Sequence, residues 1–168
     1  MSGIERLLKA LADSDSKFVV DGAYAAIMQG STLRTDDLDI CYERSPENYK
    51  RIIRAIAPFR PRLRGIPENI KAPFDEHTLA QGTNFTLATD LGNLDLLGEM
   101  SGVGGYAQIV RDSKTINLGR LSCQVASLDT IIRSKEAANR DKDRATLPEL
   151  KALNMIQQGE KKERDRQS

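Results

Sequence analysis

Three carboxylates are the residues best placed to do chemistry. Asp37-Leu38-Asp39-Ile40-Cys41-Tyr42 alternates polar and apolar side chains, the pattern of a strand buried on one face. Two aspartates one residue apart on such a strand share a face, about 7 Å apart along the chain, and can converge on a hard cation. Magnesium takes oxygen ligands and bridges substrate phosphates, so the pair suits Mg²⁺ (or Mn²⁺) beside a phosphate-binding turn. Asp95, in Leu94-Asp95-Leu96-Leu97, is the candidate third carboxylate, because an unpaired carboxylate on a buried strand is costly. Taken alone, Asp-x-Asp fits a solvated strand edge better than a metal site. The upstream residues shift that balance. Gly22-Ala23 opens the helix-forming run Tyr24-Ala25-Ala26-Ile27-Met28, which offers backbone N–H groups and a positive helix end to phosphates just before the aspartate strand.

Composition narrows the alternatives. Twenty-five Lys and Arg against 24 Asp and Glu leave no global basic field to hold a nucleic acid by phosphate neutralisation alone. Cys41 and Cys123 stand far apart and His77 is the single histidine, which argues against a disulfide framework or a zinc cluster. Gly102-Val103-Gly104-Gly105 has no following GK[ST] and reads as a flexible turn. No apolar run approaches the roughly 20 residues of a membrane span, so the expectation is a cytoplasmic protein with no membrane partner. Between Arg133 and Ser168 there are ten Lys and Arg against seven Asp and Glu, a mild bias that would help seat an RNA acceptor. The low aromatic content, 5%, offers little platform for stacking bases.

The elements that must position the carboxylates follow from periodicity. Ile4, Leu7, Leu8 and Leu11 predict an amphipathic N-terminal helix, and Lys17 to Val20 a short strand that Asp21-Gly22 breaks. Ser45-Pro46-Glu47 supplies a cap, a first-turn proline and an acid for a helix continued by Tyr49, Ile52, Ile53 and Ile56. Pro58, Pro61, Pro67 and Pro73 punctuate a loop with short elements. Asn84 to Thr89 and Leu94 to Leu97 form a hairpin about Asp90-Leu91-Gly92-Asn93, and Ala107 to Val110 and Leu121 to Val125 read as short strands. Leu128, Ile131 and Ile132 open one helix, and Leu147, Leu150 and Leu153 mark the last. The whole is one α/β domain, residues 1–158, with a small mixed sheet flanked by helices. The charged, apolar-free stretch 159–168 reads as a frayed or disordered tail.

The motif G-[GSA]-x-A-x-x-x-x-G at Gly22 to Gly30, followed by R-T-x-D-hydrophobic-D at Arg34 to Asp39, resembles the core of the nucleotidyltransferase superfamily shared by DNA polymerase beta and minimal nucleotidyltransferases. Its nearest branch by this resemblance is the bacterial AbiEii-like group, which includes toxins of toxin–antitoxin systems. The resemblance continues in order through Leu94-Asp95-Leu96-Leu97 and through L-x-x-[IL]-x-x-x-K-x-x-A-x-R-x-K-D from Leu128 to Asp143. It covers roughly residues 18 to 150, and the order is more specific than any one motif. It implies the nucleotidyltransferase fold, with C-terminal helices closing the cleft, and transfer of a nucleoside monophosphate from an NTP to an RNA (tRNA), protein or small-molecule acceptor. An antitoxin protein is an implied partner. By the same resemblance Asp37, Asp39 and Asp95 hold metal, Asp95 helps deprotonate the acceptor, and Gly22 and Ala23 contact the triphosphate. Lys135 meets the leaving phosphates, Arg34 meets phosphate or acceptor, and Arg140 and Asp143 bind nucleotide or lock the helix by an ion pair. From residue pattern alone Lys135 and Asp143 equally fit a solvated helix face. Ala23 stands where the family has Gly or Ser; it keeps the backbone N–H but supplies no hydroxyl. The alternative reading is a catalytically weak nucleotide-binding or protein-interaction module that retains the fold.

Overall fold

A computed structural model describes residues 1–168. The chain begins with helix α1 (Gly3–Asp13), strand β1 (Phe18–Asp21), helix α2 (Gly22–Met28), strand β2 (Asp37–Tyr42) and helix α3 (Pro46–Ile56). A single 3-10 turn (Ala57–Phe59) leads to strand β3 (Arg62–Leu63), helix α4 (Glu76–Gln81) and the hairpin β4 (Asn84–Thr89) and β5 (Gly92–Leu97). The short pair β6 (Glu99–Met100) and β7 (Gly104–Gly105) precedes helix α5 (Tyr106–Arg111), strands β8 (Lys114–Leu118) and β9 (Leu121–Val125), and helices α6 (Leu128–Ala138) and α7 (Asp141–Gln167). No helix is long and apolar enough to cross a membrane.

The main sheet has seven strands in the order β3-β4-β5-β2-β1-β9-β8. It is mixed: β2 runs parallel to β5 and antiparallel to β1, while β1 is parallel to β9. Alternation decides what each face carries. Leu38 and Ile40 of β2, Leu94 and Leu96 of β5 and Leu87 of β4 are fully buried in one core with Leu7, Leu8 and Leu11 of α1 and Ile52 and Ile56 of α3. The intervening residues Asp37, Asp39 and Asp95 take the other face. Caps fix the helices as their sequences require. Ser45 Oγ accepts the Asn48 N–H at 3.3 Å, and Pro46 occupies the first turn of α3. Asn48 is buried yet fully used. It accepts the Lys17 N–H at 2.7 Å and donates to Lys17 O at 2.9 Å and Glu43 O at 2.8 Å, tying α3 to the outer ends of β1 and β2.

The structure departs from sequence expectation in three places. Residues 107–110 lie in α5, not a strand: the Gly105 N–H donates to Gln108 Oε1 at 3.1 Å, which starts a helix too short for periodicity to register. The polar stretch before β9 contains β8, an edge strand paired only with β9, whose mostly exposed Lys-Thr-Ile-Asn-Leu carries little apolar signal. Finally, residues 159–167 continue α7 where the composition predicts a frayed or disordered tail. Gln, Glu, Lys and Arg lose little side-chain freedom in a helix, and Glu160/Arg164 and Lys161/Asp165 stand at favourable i,i+4 spacing.

Candidate active site

Strand register places the carboxylates side by side. Asp39 lies opposite Asp95 on β5 and, on its other side, opposite Asp21 at the end of β1. Three acids therefore form a row across adjacent strands about 4.8 Å apart, with Asp37 two residues before Asp39 on the same face. They line a cavity of about 600 Å³. Basic groups line the same cavity: Lys135 from α6, Arg140 and Lys142 from the α6–α7 junction, and Arg34 from the loop before β2. The C-terminal helices thus form one wall of the cleft, as the sequence predicts.

Local chemistry positions each group. Gly22 sits at φ +67°, and a Cβ built there would stand 2.1 Å from Asp39 Oδ2, so only glycine allows the turn and the aspartate this close approach. Thr35 fixes the entry to β2 through its hydroxyl, which accepts the Asp37 N–H at 3.1 Å and donates to Asp37 O at 3.3 Å. Asn93 Nδ2 donates to Asp37 Oδ1 at 2.8 Å. Arg64, just after β3, forms an ion pair with Asp95. Glu149 of α7 steadies the loop carrying Arg34: one of its oxygens accepts from Ser31 Oγ at 2.9 Å, Thr32 N at 2.8 Å and Thr32 Oγ1 at 2.9 Å. These bonds hold the Glu149 carboxyl below its usual range.

Crowding leaves its electrostatic signature. Burial, followed by the charges of Asp21, Asp95 and Asp37, pushes the Asp39 carboxyl up to about 7. Burial likewise raises Asp21 to about 6, against the opposing pull of the Gly22 backbone N–H and Lys135. Asp21 is only 7% exposed, and its Oδ1 is enclosed with no hydrogen-bond donor. An all-oxygen donor set of this kind fits a hard divalent cation better than zinc. No three acids are gathered into a preformed ligand cluster, since Asp95 is turned to Arg64 and Asp37 to Asn93.

Of the residues singled out from sequence, Gly22, Ala23, Arg34, Asp37, Asp39, Asp95, Lys135 and Arg140 all line this cavity. Asp143 does not. It is fully buried behind the basic groups, where it pairs with Lys135 Nζ at 3.4 Å and Arg140 Nε at 2.7 Å and accepts the Arg140 N–H at 3.1 Å. Its place in the structure is thus the helix-locking ion pair rather than the cavity surface. Sequence reasoning missed Asp21 and Arg64. An acid ending the apolar run Phe18-Val19-Val20 was a usable signal for the first, whereas Arg64 lies in a Pro-rich stretch with no pattern to mark it. His77, on α4, is exposed and away from the cavity.

No family model and no curated protein sequence matches the chain. Solved structures do resemble it. TM1012 of Thermotoga maritima, a candidate nucleotidyltransferase, superposes with a TM-score of 0.56 at 18% identity over 90% of each chain. The lincosamide antibiotic adenylyltransferase LnuA, with lincomycin bound, gives 0.59 at 14% identity over 90% of this chain and 96% of that one. The antibiotic-resistance factor ANT(2'')-Ia gives 0.53 at 11% identity over 98% and 94%. With its mixed sheet flanked by helices, the chain has the nucleotidyltransferase fold.

Proposed function

We propose that the protein is a metal-dependent nucleotidyltransferase that moves a nucleoside monophosphate from an NTP to a hydroxyl acceptor. One observation carries this reading: a single cleft is lined both by aspartates, Asp37, Asp39 and Asp95, and by cations, Lys135, Arg140, Lys142 and Arg34. A metal-bound triphosphate needs both, with carboxylates for the cation and basic groups for the phosphates. Asp37, Asp39 and Asp95 hold the divalent cation, which when bound neutralises charge building on the transferring phosphoryl group. The backbone N–H groups of Gly22 and Ala23 receive the triphosphate at the start of α2. Lys135, held in place by Asp143, meets the leaving phosphates, and Arg140 flanks it. Asp95, which lines the same cavity, takes the acceptor hydroxyl proton.

The cavity lining contains no aromatic side chain on which RNA bases would stack, and two of the similar structures are antibiotic-directed proteins. Both points favour a small hydroxyl-bearing acceptor over RNA or protein, and an enzyme of small molecules over a toxin that faces an antitoxin. The test incubates the protein with each labelled NTP, Mg²⁺ and, in separate reactions, a panel of hydroxyl-bearing antibiotics, total RNA and the protein alone. Labelled small molecule with pyrophosphate release is expected. Labelled RNA restores the toxin reading, and no transfer with any NTP, alongside wild-type behaviour of Asp37→Ala and Asp39→Ala in NTP binding, refutes the enzyme.

A further inference from the structure

Asp21 belongs to no motif that singled out the other acids, yet the fold drives it into the same cleft. It ends β1 after Phe18, Val19 and Val20, all buried, at a position where another aliphatic residue would suit the strand. Its side chain instead joins the cavity lining, and Oδ1 is completely enclosed without a donor. A buried carboxylate oxygen left without partner is expensive, so some positive group must repay it. Lys135, the cation whose charge bears on Asp21, is already paired with Asp143 at 3.4 Å. What remains is the register: Asp21 is the direct cross-strand neighbour of Asp39, whose Oδ2 lies against Gly22, the residue that follows Asp21.

Building on the assignment of Asp37, Asp39 and Asp95 to a divalent cation, we propose that Asp21 is a fourth oxygen ligand that holds such a cation jointly with Asp39 before nucleotide arrives. Magnesium and manganese accept six oxygen ligands, so a further carboxylate fits their coordination needs. The site then differs in charge from one built on three acids, and it binds cation in the absence of an NTP.

The probe is Mn²⁺ alone, titrated into the nucleotide-free protein and followed by the electron paramagnetic resonance signal of the free ion. Asp21→Asn is expected to raise the Mn²⁺ Kd at least tenfold with an unchanged circular dichroism spectrum. Asp36→Asn, which removes an exposed acid one residue from Asp37 but outside the cavity lining, is expected to stay within twofold. Should Asp21→Asn fail to fold, Asp21→Val, suited to the apolar strand, reads the same loss. Wild-type affinity in either folded variant overturns the assignment, as does an equal loss in Asp36→Asn, which would mark a general charge effect. Asp39→Asn separates the layers. If it loses Mn²⁺ while Asp21→Asn does not, only the role of Asp21 falls; if Asp37→Asn and Asp39→Asn both bind normally, the metal reading beneath it falls as well.

Discussion

Asp39→Asn should stabilise the metal-free protein at neutral pH, although it removes a residue central to the proposed chemistry. The folded state raises the Asp39 carboxyl from its ordinary 3.8 to about 7, so it binds the proton more tightly than the unfolded chain does. For an acid shifted in this direction, stability is greatest below about pH 4, falls as pH climbs toward 7, and is flat above. Asp21, raised to about 6, contributes in the same sense over a slightly narrower window. At about 1.36 kcal/mol per pH unit, Asp39 alone would cost the folded state about 4 kcal/mol at pH 8. Because the charge is shared with Asp21 and Asp95, about half of that is the expected gain on substitution, ~2 kcal/mol, or roughly 4–8 °C in Tm for a chain of this size. An asparagine amide can also donate to the flanking carboxylates. Urea or thermal unfolding with EDTA at pH 5 and pH 8 measures the effect: the wild type should lose stability between the two, and Asp39→Asn should lose less. Saturating Mg²⁺ should restore the wild type at pH 8 by about 2–3 kcal/mol at a hundred times Kd and leave the variant unmoved. A variant less stable than wild type in EDTA at pH 8 would falsify the picture of an acid cluster under strain.

Other perturbations probe the remaining supports. Gly22→Ala places a Cβ 2.1 Å from Asp39 Oδ2 and forces a side chain into a left-handed conformation. A stability loss of about 1–2 kcal/mol from the backbone is expected, with a further, larger loss of Mn²⁺ affinity as Asp39 is displaced; unchanged Mn²⁺ titration contradicts the close approach. Asp143→Ala strands Lys135 and Arg140 and should cost about 3 kcal/mol in urea unfolding. A loss under 1 kcal/mol means that the pair is solvated rather than structural. Lys135→Gln should raise the NTP KM at least tenfold with the Mn²⁺ titration unaltered, and a normal KM removes Lys135 from the phosphate side. Glu149→Ala releases three hydrogen bonds, so amide exchange across residues 31–35 should accelerate about tenfold while the exchange of β1 and β5 stays constant.

Much of the site was readable in advance because its residues sit on elements with strong local signals. The alternation in Asp37 to Tyr42 and in Leu94 to Leu97 comes from strands that each bury one face, and strand pairing then leaves the acids few places to go. The N-terminal helix announced itself because Leu7, Leu8 and Leu11 all enter the core. Short or edge elements were opaque: six residues of α5 span less than two turns, and β8 shows its polar side chains to solvent. The pairing of Arg64 with Asp95 depends on β3 lying antiparallel to β4, with Leu63 opposite Leu87, a non-local register that no window of sequence contains. Asp21 was hidden for a different reason. Asp-Gly is a common way to end a strand, so the turn by itself accounts for an acid there and masks its burial.

The face-alternation of β2 has a consequence for how the chain avoids misfolding. If β2 paired one residue out of step with β1 and β5, Asp37 and Asp39 would be driven into the aliphatic layer and Leu38 and Ile40 would be turned to water. Each misplaced acid would cost several kcal/mol, so the slipped pairing is excluded by the same side chains that form the cleft. The aspartates therefore act as alignment marks for the sheet during folding, and a one-residue insertion or deletion within β2 would cost the protein its core together with its cleft.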